Sequence, residues 1–413
     1  MDETIKEGVY FGVDIGADAT LVSYFEPHMD EPVTISTVMG SESYQIPTYL
    51  AKKKGVGQWF FGNDAKNQVQ LAMATGVDDL YGKALRNETV FVETEQYQAR
   101  ELLFIFFRKL LSLPGYMYAN APLAKLVICV EHLDLNVMEM FTMTANKLGI
   151  EPGRLMVIDR RESFYYYALN QDPNLFFGDV MLFDYSGSEL LHCRLHRNTS
   201  TTPQLVDLSE GNDGSLMEEK DRQFDGIIKR LFTGNAISSV YLTGNGFDGD
   251  WMKVSLANLL RGRRVFLGKN LYSKGACYAG AIRDKRMDWP FVYIGDNELK
   301  LNVSLKVLDC NEMKFLTLIT AGESWYESKG ECEVVLDGTP EIECWVQRPE
   351  SRQAAVEVLN LEGLPARENR TTRLRISAKP TSDKEVEITI RDLGFGEIVP
   401  ATNRVFVHQV RVD

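Results

Sequence analysis

The chain has 413 residues, 44% hydrophobic and 25% charged, with a formal net charge of −13. That length allows roughly two to three domains with sizeable cores, and the composition is that of a soluble globular protein. The acidic balance argues against nucleic acid, which needs a basic face, and against anionic membranes.

Six cysteines, Cys129, Cys193, Cys277, Cys310, Cys332 and Cys344, show no CxxC spacing. They read as reduced thiols, which suits a cytoplasmic protein. The opening MDETIKEG lacks the apolar stretch of a signal peptide. The apolar run ELLFIFFRKLLSL is interrupted by Arg108 and Lys109 and is too short to span a bilayer, so no membrane insertion is expected.

In chain order, VYFGVDIG, TLVSYFE and VTISTVM read as three strands. QIPTYLAKKKGVGQWFFGNDAK follows as a hairpin-like piece. Helical spacing appears over Asp64–Thr75 and Gln96–Leu113, the latter with a stripe of Leu103, Phe106, Phe107, Leu110 and Leu113. Leu126–Glu131 is a continuous apolar run, as in a strand covered on both faces. A helix over Asn136–Leu148 stops at Gly149. Strand LMVIDR and helix ESFYYYALNQ complete the first half.

The order then restarts. VMLFDYSG, LLHCRLHR and TPQLVDLSE read as a second three-strand meander. Helix Arg222–Phe232, strand SVYLTGNG, helix Asp250–Leu260, strand RVFLG and helix Ser273–Arg283 follow. Each half reads strand, strand, strand, helix, strand, helix, strand, helix, which is an internal repeat of an α/β unit. From Tyr293 to Asp413 the pattern alternates with period two, the signature of an antiparallel β-sandwich. The expected organisation is a body over 1–288, with halves of about 1–178 and 179–288, and a sandwich over 289–413.

Two hairpins carry the chemistry. Asp14 with Gly16, and Asp184 with Gly187, each place an Asp at a buried strand end before a glycine turn. The N–H groups of such a turn can face a phosphate, and the Asp can hold magnesium through water. A third turn, Gly244 and Gly246, follows SVYLTGNG. His192 and His196 share a strand face without a third metal ligand, and GNDGS (Gly211–Ser215) lacks the later Glu of a calcium loop.

These motifs, in this order and spacing, resemble the actin-like ATPase superfamily and within it the seventy-kilodalton heat-shock chaperones of the DnaK type. FGVDIGADATLVSYF resembles their first phosphate hairpin, VMLFDYSGSELLHCRL the second, and SVYLTGNG the adenosine strand. The resemblance implies a duplicated actin-like, ribonuclease H-like body followed by an all-β sandwich similar to the chaperones' peptide-binding domain. It implies ATP or ADP with magnesium as cofactor, bound by Asp14, Gly16, Asp184, Gly187, Gly244 and Gly246. Asp14 and Asp184 would order the metal's water shell. Lys83 matches a catalytic Lys near the γ-phosphate, and Glu162 a Glu that orients water and magnesium.

The departures from that family are specific. Ala17 and Asp18 replace small hydroxyl residues in the first hairpin. Ser186, Ser188, Glu189 and Leu191 replace the glycines, Thr and Asp of the second, and Glu131 replaces a Pro. About sixty residues separate Asp184 from Gly244, too few for the helical subdomain that sandwiches adenine, and no counterpart of the chaperones' lid is expected. The expectation is a chaperone-like protein with ATP binding weakened or lost, whose sandwich binds a peptide segment or partner protein. An ATP-hydrolysing switch and an actin-like cytoskeletal or division scaffold stand as the alternatives.

Overall fold

The computed structural model describes residues 8–26, 28–36, 43–113, 122–402 and 404–412. The chain forms two compact units. One comprises Met1–His196 with Leu208–Trp289, the other Arg197–Asp207 with Pro290–Asp413.

The first unit is mixed α/β. Its first sheet is built from β1 (Val9–Ile15), β2 (Ala19–Phe25), β3 (Val33–Thr34), β10 (Leu123–Val130) and β11 (Leu155–Asp159), in the order β11-β10-β1-β2-β3. β1 is antiparallel to β2 and parallel to β10, and β10 is parallel to β11. Between β3 and β10 the chain adds short strands β4 (Ile46–Pro47), β5 (Leu50–Lys53), β6 (Trp59–Phe61), β7 (Ala74–Val77), β8 (Thr89–Val92) and β9 (Glu95–Gln98). It also adds helices α1 (Gly62–Gln70), α2 (Leu80–Leu85) and α3 (Ala99–Leu110). α3 buries Leu103, Phe106, Phe107 and Leu110 of the helical stripe read from the sequence, together with Leu102, whereas Leu113 lies beyond the helix end and is half-buried.

The second sheet uses β12 (Asp179–Asp184), β13 (Leu191–Asn198), β14 (Gln204–Asn212), β15 (Ile237–Thr243) and β16 (Arg264–Leu267), in the order β16-β15-β12-β13-β14. Here β12 is antiparallel to β13 and parallel to β15, which is parallel to β16. The two sheets thus share one order of pairing. Asp14 and Asp184 fall at the carboxyl ends of their central strands, the edge where open α/β sheets place ligands. Helices α4 (Leu135–Lys147), α5 (Arg160–Leu169), α6 (Lys220–Phe232), α7 (Val254–Leu259) and α8 (Leu271–Arg283) complete the unit. α5 and α8 pack along one another.

Several boundaries differ from the sequence reading. The helix expected over Asp64–Thr75 ends at Gln70, and Ala74–Val77 forms β7 against β5. The helix expected from Gln96 begins at Ala99, because Glu95–Gln98 pairs with Thr89–Val92. In both cases a neighbouring strand needed hydrogen-bond partners, which local periodicity does not register. α7 starts at Val254, where Asp221 of α6 accepts from the backbone N–H groups of Lys253, Val254 and Ser255. That cap lies over thirty residues away in sequence. Among the described residues of VTISTVM only Val33–Thr34 is strand, and residues 37–39 lie outside the described residues.

The second unit is all-β apart from its irregular loops. It begins with residues 197–207, of which Gln204–Val206 pair in parallel with β17 (Phe291–Tyr293). Two four-stranded sheets follow. One has the order β19 (Glu312–Ile319), β18 (Asn302–Asp309), β21 (Glu341–Gln347), β22 (Ala354–Asn360). The other has the order β20 (Gly330–Val335), β23 (Arg373–Pro380), β24 (Glu385–Gly394), β25 (Val405–Arg411). Their facing residues, among them Val303, Leu305, Val346, Leu374, Ile376, Ile388 and Ile390, form one core. Asp392 interrupts the inward apolar row of β24 and is bound bidentately by Arg367, at 2.8 and 2.9 Å.

Candidate functional site

The carboxyl ends of β1 and β12 bring Asp14 and Asp184 to one place, and Arg160 stands with them. β11 runs directly into α5, so Arg160 is the first helical residue. Asp159 caps the helix, its Oδ1 accepting from the Glu162 N–H at 2.8 Å. Its Oδ2 accepts from Arg161 Nη2 at 2.9 Å. With the first turn fixed in this way, the Arg160 guanidinium reaches both aspartates. Its Nε lies 3.3 Å from Asp14 Oδ1 and its Nη1 3.8 Å from Asp184 Oδ2.

Other groups complete the constellation. The guanidinium lies over the Tyr272 ring, 5.0 Å from its centre. The Tyr272 hydroxyl donates to Asp184 Oδ2 at 2.7 Å. Asp184 Oδ1 accepts from the Ser186 N–H at 2.9 Å and from its hydroxyl at 2.5 Å. Burial pushes Asp14 above the usual carboxylate range, opposed by Arg160 and reinforced by the charge of Asp184. For Arg160 burial works against the charge, but Asp14, Tyr272 and Asp184 outweigh it and hold the group protonated. Burial, helped by Asp184, also pushes the Tyr272 phenol well up, so it serves as a donor.

The glycine turns are differently placed. The Gly16 N–H donates to the Ala19 carbonyl at 3.0 Å, and its own carbonyl accepts from the Thr48 hydroxyl at 2.8 Å. A Cβ at Gly16 would sit 3.6 Å from the Arg160 guanidinium. Gly187 is at an exposed hairpin tip with open space around it. Gly244, at φ +99°, packs on the backbone of the second hairpin, where a Cβ would lie 2.3 Å from the Ser186 nitrogen. At Gly246 a Cβ would lie 2.3 Å from the Tyr185 ring, and the Gly246 N–H donates to the Tyr185 carbonyl at 2.8 Å. These two glycines admit Tyr185. Its ring meets Phe247 edge-on, and Phe247 stacks with Trp251 at 6.1 Å. Trp251 Nε1 in turn donates to the Gly246 carbonyl.

The two residues expected to be catalytic, Lys83 and Glu162, lie on α2 and in the first turn of α5. Lys83 is on α2, half-buried, and makes no ion pair among the described residues. Glu162 is buried at the start of α5 and meets Arg283 of α8, Oε1 to Nη2, at 3.2 Å. The side chain that faces the two aspartates is Arg160, two positions earlier.

A cavity of about 350 Å³ opens beside Arg160. Its lining includes Arg160, Arg161, Tyr272, Asp184, His192 and Glu210, with Glu131 among the remaining residues. His192 Nδ1 is 2.7 Å from Asp213 Oδ2, and Gly211 gives its ring room. Leaving aside His132 and His192, which also line it, Glu131, Asp184 and Glu210 set three carboxylates against the guanidiniums of Arg160 and Arg161. Among the described residues no group of three or more His, Cys, Asp or Glu side chains could hold a metal ion.

Sequence reasoning passed over Arg160, Tyr185 and Tyr272. One signal was available for the first. Two buried carboxylates that stay ionised need a counter-charge, and RR directly after a buried strand supplies one at a strand's carboxyl end.

Residues 31–296 match the profile described as family of unknown function (DUF5716) C-terminal. The chain belongs to the DUF5716 family. Residues 298–412 match a second profile, domain of unknown function (DUF8552). No curated protein matches the chain. Among the described residues no helix is long and apolar enough to cross a membrane.

Proposed function

We propose that this DUF5716 chain is a chaperone-like binding protein that does not turn over ATP. Its body keeps the frame of a duplicated actin-like, DnaK-type nucleotide fold, and its sandwich engages a peptide segment or partner protein. The shared strand order of the two sheets supports the duplicated frame.

The observation that carries the reading is the guanidinium of Arg160 between Asp14 and Asp184. In the resembled family a magnesium ion and its waters work in front of the equivalent carboxylates. Here Asp184 already accepts from Ser186 and Tyr272, and Asp14 from Arg160. Tyr185 fills the turn that would meet the nucleoside. The cavity lining carries a carboxylate excess, which repels a polyanionic triphosphate. The residues present therefore suit Mg-ATP poorly, and Lys83 and Glu162 are not assigned catalytic roles.

For the sandwich, the outward face of the β19-containing sheet supports partner binding. Met313, Phe315, Leu308, Val356 and Val358 are exposed there, and Phe315 meets Trp345 at 5.0 Å. Large apolar side chains gathered on one sheet face favour an interaction surface.

Titration calorimetry of the full chain with Mg-ATP tests the reading. The expected result is no heat and no thermal shift at ligand concentrations up to about 1 mM. Saturable binding, or ATP hydrolysis above background, overturns it in favour of the switch. Nucleotide-dependent pelleting would favour the scaffold.

A further inference from the structure

We infer that Arg160 is a built-in cation that takes over the structural work of a divalent ion, bridging the two sheets of the body permanently. The inference deepens the reading of the cleft given above and rests on it.

Asp14 and Asp184 end the central strands of two different sheets and are both buried. Two such groups can stay ionised side by side only with a cation between them; otherwise one of them takes up a proton. A divalent ion would meet that need only while bound, because it exchanges with solvent. A guanidinium fixed to the chain cannot leave and is not deprotonated in proteins. Arg160 is held for the task from several sides. Asp159 fixes its helix start, the Tyr272 ring supports its flat face, and the Tyr272 hydroxyl ties Asp184 to the same cluster. Tyr272 lies on α8, so four segments distant in sequence, β1, β12, α5 and α8, meet at one point.

Two consequences follow. The arrangement of the two sheets is independent of metal and nucleotide. Removing the guanidinium also leaves a pair of carboxylates with the donor chemistry that a hard divalent cation accepts, one or two carboxylates with water filling the remaining positions.

The test is thermal unfolding of the full chain carrying Arg160→Ser, in EDTA and in millimolar MgCl₂, CaCl₂ or MnCl₂. NaCl at matched ionic strength and the native protein serve as controls. A triple variant, Asp14→Asn with Arg160→Ser and Asp184→Asn, is measured in parallel. In EDTA, Arg160→Ser is expected to melt roughly 10 °C lower than native. At least one divalent ion restores a large part of that loss, and the native protein does not respond. The triple variant melts above Arg160→Ser and is insensitive to divalent ions.

A native-like melting temperature for Arg160→Ser in EDTA overturns the inference, as does the lack of any divalent response beyond NaCl. If Arg160→Ser does not fold without metal, folding on addition of a divalent ion supports the inference. Failure of the triple variant to fold overturns it, because Arg160 then acts through packing rather than charge. None of these outcomes bears on whether the native protein binds Mg-ATP, so the two proposals fail separately.

Discussion

Glu162 separates a structural role from a catalytic one. Its carboxylate is 3% exposed and lies 3.2 Å from the Arg283 guanidinium, which is 22% exposed. Breaking a buried pair by removing one partner costs about 3–5 kcal/mol, because the other charge is left uncompensated. Arg283 is partly open to water, so Glu162→Gln is placed at the low end, about 3 kcal/mol. In a folded body of this size that corresponds to a fall in melting temperature of roughly 5 °C. The backbone N–H of residue 162 still donates to Asp159, so the helix cap is retained. The assay is urea unfolding followed by tryptophan fluorescence, on Glu162→Gln, Arg283→Met and the double variant. The double variant should recover more than about 1 kcal/mol relative to additivity, since the interaction between the two charges is then lost only once. A Glu162→Gln protein within about 0.5 kcal/mol of native would refute the reasoning. An ATPase activity that this variant abolishes without loss of stability would return Glu162 to the catalytic role.

Two further outcomes are expected. Burial works to raise Asp392, but Arg367, the Thr402 hydroxyl and the Gly394 and Thr402 N–H groups outweigh it and hold the carboxylate well below its usual range. A depressed carboxylate contributes stability above its unfolded value and loses it as pH falls through the folded one. The native chain should therefore weaken as pH drops below about 4, whereas Asp392→Asn should be less stable at neutral pH and flatter across that window by circular dichroism. Gly244→Ala sets a Cβ against the Ser186 nitrogen at a positive φ that alanine resists. A loss of about 2 kcal/mol or more is expected by urea unfolding, and a neutral result would show that the turn does not close on the second hairpin.

The local order of strands and helices was legible because burial imposes a period on the chain. The apolar LVICV reads as a covered strand, the α3 stripe as a helix face, and the alternation after Tyr293 as antiparallel sheet. The two Asp-to-Gly hairpins were visible for the same reason, as polar residues ending apolar runs. Local pattern failed where a partner from elsewhere decided the outcome. Ala74–Val77 is a strand because β5 needed a neighbour, and α7 begins where Asp221 caps it.

The sequence alone therefore determined that two buried carboxylates exist and which strands end with them. What neutralises them was decided only by the tertiary structure. Arg160 lies about 150 residues from Asp14 and Tyr272 about 90 from Asp184, and no periodicity links them. Electrostatics in a desolvated place acts through space, so the counter-charge is set by whichever side chain the fold brings there. In this chain it is the guanidinium of Arg160.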